Sequence, residues 1–126
     1  MLPGTSYGEV SKNAFALYDE IRRKTKRRPY VRSAYFKKEK VFLEHWREHL
    51  FQKSPKERMK RMKYFKASIE LIQKSKNDPI VKKNPNNHSE MLYRFAGLTS
   101  ERNLFFVQIK EDRKSNKYLM SCFSPE

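Results

Sequence analysis

Three short runs in the last third of the chain constrain its fold more than any other feature. Residues 90–96, 104–110 and 117–123 are each rich in aromatic or β-branched side chains and free of proline, which is the composition of β-strands. Turn-like residues fill 97–103 and 111–116. These connections are too short for the crossovers that parallel strands need, so the spacing predicts an antiparallel meander over 89–124. Pairing the runs in simple register puts Met91, Tyr93, Phe95, Phe105, Val107, Ile109, Leu119 and Phe123 on one apolar face. Arg94, Gln108, Lys110 and Tyr118 then share the other face with Leu92, Phe106 and Met120. The same register assigns Ser121 to the apolar face, away from Arg94, unless a bulge turns the last strand.

Upstream of the meander the pattern is helical and basic. Residues 1–9 read as a mobile loop. Ala14, Leu17, Tyr18 and Ile21 recur at helical spacing, predicting a helix over 10–24 with Ser11 or Asn13 as its cap. Pro29 ends it, residues 30–36 read as a strand, and 41–43 as a short returning strand. In the next helix, near 44–52, Leu43, Trp46 and Leu50 form an apolar arc, with His45 and His49 one turn apart away from it. Ser54, Pro55 and Glu57 make a capping box that starts a helix running to about residue 75. Its buried stripe is Met59, Met62, Phe65, Ile69 and Ile72, with Arg58, Lys60, Arg61 and Lys63 off its centre. Residues 82–89 read as a polar loop. The expected class is therefore α+β in one domain over 1–126: a mainly helical, strongly basic part over 10–75, then the antiparallel sheet.

The charge narrows the partner. A net charge of +15, from 29 Lys and Arg against 14 Asp and Glu, favours a polyanion, nucleic acid first. Ten of the cations lie in residues 22–40, interleaved with Tyr30, Tyr35 and Phe36, which suits phosphates and stacked bases. Arg27, Arg28, Arg32, Tyr35, Lys37, Lys38, Lys53 and Gln108 are the expected nucleic-acid contacts. The single cysteine, Cys122, excludes an internal disulfide and a CxxC zinc pattern and fits a reducing, cytoplasmic setting. No apolar run is long enough to span a membrane, and no signal-peptide core is evident at the N-terminus.

Three chemistries compete for the polar residues. His45 and His49, with Glu48 between them, match the H-x-x-E-H pattern of some zinc hydrolases, but the chain offers no obvious third ligand, so no metal is expected. The same histidines suit metal-independent RNA cleavage. There the 2′-hydroxyl loses a proton, the 5′-oxygen gains one, and fixed cations stabilise the phosphorane. His49, His45, Arg94, Lys110, Tyr118 and Ser121 are the candidates for that work, whereas His88 lies in the polar loop. The third reading is basic RNA or DNA binding without catalysis, although no RNP, KH, zinc-finger or helix-turn-helix signature occurs. Only three glycines and no Gly-rich phosphate loop argue against nucleoside-triphosphate chemistry, and no cofactor is expected.

From about residue 27 onward, residues 27–36, 40–50, 94–99, 106–112 and 118–123 resemble, in order and spacing, small proteins of bacterial mobile elements. These are grouped with the phage-associated barnase–EndoU–colicin–RelE-like nucleases. The resemblance implies helices packed on a four- to five-stranded antiparallel sheet that carries an RNA-cleaving site. It maps the helix histidine onto His49, with His45 beside it, the strand cation onto Arg94 and Lys110, and a last-strand hydroxyl onto Ser121. It also implies a toxin or phage-borne effector acting on RNA, transfer RNA among the candidates, with an acidic inhibitor or antitoxin as a second partner.

Overall fold

The computed structural model describes residues 6–125. Helix α1 (Tyr7–Thr25) is followed by β1 (Tyr30–Arg32), β2 (Lys40–Phe42), α2 (Glu44–Phe51), α3 (Pro55–Lys63) and α4 (Phe65–Lys74). Strands β3 (Ile80–Asn84), β4 (Asn87–Leu98), β5 (Leu104–Glu111) and β6 (Lys117–Phe123) complete the chain. The class is α+β, as the patterning predicts.

The first helix starts earlier than its apolar periodicity suggests. Ser6 is the cap, its hydroxyl accepting from the Glu9 N–H at 3.2 Å, so neither Ser11 nor Asn13 serves. Within the expected mobile stretch, residues 7–9 are helical, while 1–5 lie outside the described residues. The cap expected at Ser54 forms, its hydroxyl accepting from the Glu57 N–H at 3.3 Å with Pro55 in the first turn. The helix it starts is broken at Tyr64, whose φ of −94° and ψ of 0° separate α3 from α4. The break lets the Tyr64 ring stack on Phe105 while Phe65 is fully buried against Trp46.

The sheet has six strands in the order β1-β2-β6-β5-β4-β3, not four or five. It is also mixed, because β2 pairs parallel to β6, while the other neighbours pair antiparallel. The extra strand is β3, which pairs with β4 through a turn at Pro85 and Asn86. Residues 82–84 and 87–89 are thus strand rather than loop. Conversely, the strand expected over 30–36 ends at Arg32. The Ser33 hydroxyl accepts from the Phe36 N–H at 3.1 Å, and Lys37 and Lys38 adopt positive φ of 55° and 67°, which closes a turn.

One core lies between the helices and one sheet face. Val31, Val41, Phe95, Phe105, Val107, Ile109, Leu119 and Cys122 come from the sheet, and Val10, Ala14, Tyr18, Trp46, Leu50, Met62, Phe65, Ile69 and Ile72 from the helices. Gly97 is needed where β4 passes under this core, since a Cβ there would sit 2.8 Å from the Phe105 ring. Lys117 enters from the end of β6, its ammonium 2.8 Å from Glu39 and 2.9 Å from Glu111. That ion pair ties the 33–39 turn to the sheet. Among the described residues no helix is long and apolar enough to cross a membrane.

The facing of the last strand differs from the simple register. Pairing shifts between Gln108 and Ile109: Leu119 stands opposite Ile109 and Ser121 opposite Gln108, leaving Met120 as the inserted residue of a bulge. Beyond it the alternation reverses. Cys122 is fully buried, and Phe123 moves from the expected core face to the open face, over Phe106.

Candidate active site on the open sheet face

The open face is ordered by strand register. One row crosses all six strands through Tyr30, Phe42, Tyr118, Lys110, Leu92 and Lys82. The next row holds Ser121, Gln108 and Arg94, with Phe123 and Phe106 paired beyond it. The bulge at Met120 is what puts Ser121 in line with Arg94, and so removes the conflict in the simple register.

Helix α2 overhangs these rows from the β6 side. Its apolar arc, Trp46 and Leu50, is buried to 1% and 2% exposure, which fixes the rotation of the helix. That rotation turns the histidines to the rim. The His45 ring lies 4.6 Å from the Tyr118 ring, and its Nδ1 is 3.3 Å from Glu48 Oε2. His49 lines a crevice with Lys53, Arg61, Met120 and Ser121. Partial burial holds His49 below the usual histidine range. The nearby charges of His45, Lys53 and Lys110 act in the same direction, and Glu48 opposes them. The imidazole is therefore neutral at neutral pH and able to accept a proton.

The cations are held by hydrogen bonds and ion pairs. Arg94 donates from Nη2 to Gln108 Oε1 at 3.2 Å, with its guanidinium 5.3 Å from the Phe123 ring. The Lys110 ammonium lies 5.6 Å from the Tyr118 ring and 3.5 Å from Glu90, so its charge is partly neutralised. The Tyr118 hydroxyl donates to Asp112 Oδ2 at 3.2 Å. Asp112 also accepts from the Lys114 and Asn116 N–H groups, and these bonds hold its carboxyl below the usual range although burial acts the other way. Tyr118 thus offers its ring to His45 while its proton is engaged with a carboxylate.

The structure gathers His45, His49, Lys53, Gln108, Lys110, Tyr118, Ser121 and Arg94 around one surface. Arg28 joins its edge, paired with Glu44 and 3.9 Å from the centre of the Phe42 ring. The remaining basic candidates do not. Arg32, Tyr35, Lys37 and Lys38 line a groove at the β1 edge that adjoins the first row at Tyr30, and Arg27 is exposed in the preceding loop. The basic stretch fails as one surface because Pro29 and the Ser33 turn bend it around the sheet edge. Tyr35 is drawn inward against Phe36 and Phe95.

Two residues were missed. Phe123 and Arg61, with Arg94 and Phe106, line a hollow of about 440 Å³ beside the second row. Arg61 Nε is buried without a hydrogen bond, its nearest carboxylate being Glu57 Oε2 at 3.5 Å. Its position on the open side of α3 was visible from periodicity, but the bulge that brings Phe123 to it was not. The groove at β1, a hollow of about 1160 Å³, has no histidine. The groups able to transfer protons converge on the open face instead. Around His45 and His49 no set of three His, Cys, Asp or Glu forms among the described residues, so the zinc pattern gains no third ligand. No protein-family model matches the chain, and searches of curated proteins and of solved structures found nothing similar to it.

Proposed function

We propose that the chain is a metal-independent endoribonuclease that cleaves by 2′-hydroxyl transesterification on the open sheet face. The observation that carries this reading is the juxtaposition of His49, neutral and half-buried on α2, with the row Ser121–Gln108–Arg94 and with Lys110. His49 takes the 2′-hydroxyl proton as the 2′-oxygen attacks phosphorus. Arg94 and Lys110 stabilise the charge on the phosphorane, and the Ser121 hydroxyl donates to a non-bridging oxygen. His45 delivers a proton to the departing 5′-oxygen. Arg28, Lys53 and the Phe106–Phe123 platform hold the flanking nucleotides. The products are a 2′,3′-cyclic phosphate and a 5′-hydroxyl.

The direct test is incubation of the purified protein with total RNA in EDTA, followed by mapping of the cut ends. Cyclic-phosphate and 5′-hydroxyl ends that survive EDTA support the reading. Loss of cutting on chelation, with stoichiometric zinc recovered, would transfer the histidines to the zinc-hydrolase reading. Retention of RNA without cutting would favour a binding module. The observation that favours this second reading is the hollow of Arg61, Arg94, Phe106 and Phe123, which suits a stacked base and a phosphate without any proton transfer. A toxin or phage-borne role, and an acidic inhibitor that blocks the face, belong to the same proposal.

A further inference from the structure

The groove at the β1 edge is built differently from the open face. The Ser33 N–H donates to the Glu39 carbonyl and the Leu43 N–H to the Pro29 carbonyl, which fixes the hydrogen-bonded phase of the β1–β2 ladder. In that phase Val31 bonds to β2, so the N–H and C=O groups of Tyr30 and Arg32 point outward. No backbone hydrogen bond engages them among the described residues, whereas the Ala34 N–H just beyond donates to the Ile72 carbonyl. The outward groups open into the groove, whose wall includes Ile21, Ala34 and Tyr35. Its rim carries Lys37, Lys38, Lys74 and Lys76, and no Asp or Glu lines it. None of these four lysines is ion-paired among the described residues, while Lys24, also on the rim, pairs with Glu20 at 3.1 Å.

We infer that this groove receives an extended acidic peptide segment of another protein, which adds to β1 as a seventh strand. Outward donors and acceptors at strand spacing match a peptide backbone, and a nucleic acid has no equivalent ladder. The apolar wall accepts alternate aliphatic side chains, and the lysine rim pairs with acidic ones. A second copy of this chain is disfavoured, since two such rims would face each other with like charge. An exposed edge strand otherwise invites unspecific pairing, and a lysine rim restricts it to acidic partners. The inference does not depend on any chemistry on the open face.

The test uses the full chain, isotope-labelled, and a synthetic eight-residue peptide alternating glutamate and valine. Binding is expected to slow amide exchange at Tyr30 and Arg32 by about tenfold or more, with little change at Val31, already paired to β2. Replacing Lys37 and Lys38 by Asn removes charge while tolerating the positive φ of both positions, and should weaken binding several-fold. A peptide N-methylated at alternate residues should not bind. The inference is overturned if the acidic peptide fails to bind at millimolar concentration, or if Tyr30 and Arg32 gain no protection. Equal affinity of the N-methylated peptide would also overturn it. A twelve-nucleotide oligouridylate that displaces the peptide from the same amides would reassign the groove to nucleic acid.

Discussion

The two faces of the sheet are made from the same strands and alternate residues, yet they obey different rules. On the core face Val107, Ile109 and Leu119 are at most 1% exposed, and each is chosen by what it packs against. On the open face their neighbours Gln108, Lys110 and Tyr118 are half-buried and make directed polar contacts. Burial of apolar area fixes the first face and thereby the positions of the second. A polar group there is held in place without having to stabilise the fold, which is the condition for a site whose residues can be exchanged for chemistry.

That contrast can be broken most sharply at His49. Its replacement by alanine should lower RNA cleavage by about 10² to 10⁴, the usual worth of general acid–base help, with the melting temperature nearly unchanged. Arg94→Ala should behave in the same way, and His88→Ala should do little. If His49→Ala unfolds the chain, the histidine belongs to the core, and the distinction between faces fails at that point.

The opposite result is expected one residue class away. Trp46→Ala removes a side chain that is 1% exposed and stacked on Phe65 at 4.1 Å. It should cost about 3 to 5 kcal/mol in denaturant-derived stability. Leu92→Ala, on the open face, should cost under about 1 kcal/mol. Equal losses would mean that the open face is covered in solution.

Acidity sharpens the comparison further. Because His49 in the folded chain titrates below its ordinary value of about 6.5, the acid limb of kcat/KM should have its midpoint below that pH and fall by about tenfold per pH unit beneath it. The charged groups around it are His45, Glu48, Lys53 and Lys110. The linkage has the same sign for stability. As pH falls from about 6.5, the unfolded chain takes up a proton that native His49 resists, so the folded state loses stability until its own pKa is passed. An acid-limb midpoint above about 6.5 in the pH–rate profile would remove His49 as the base. The smallest effect expected is at the rim of the site. Arg28→Ala should reduce the slope of log K against log salt for single-stranded RNA by about 0.7, and an unchanged slope would place the phosphates elsewhere.

The core face was legible because strands buried on one side impose alternation, as in Phe105, Val107 and Ile109. α2 was legible because its apolar arc oriented both histidines. Strand β3 was not, since Ile80 at 71% and Val81 at 45% exposure bury little, and Lys82 and Lys83 leave an edge strand with the composition of a loop. The parallel β2–β6 pair was equally hidden, because it joins segments from the first and last thirds of the chain. The bulge at Met120 changes no composition at all. It is set by three-dimensional packing that buries Cys122, and it alone decides on which side Ser121 stands.

The parallel pair also has a consequence for synthesis. The β1–β2 ribbon and α2 are made early, but β2 meets the rest of the sheet only through β6, at Val41 opposite Lys117 and Phe42 opposite Tyr118. A ribbon this short is not stable alone, and closing so long a loop is slow. During translation the histidine helix therefore has no sheet to overhang until β6 has left the ribosome. Most of the excess positive charge, which lies ahead of β4, has thus been made well before the open face exists as a surface.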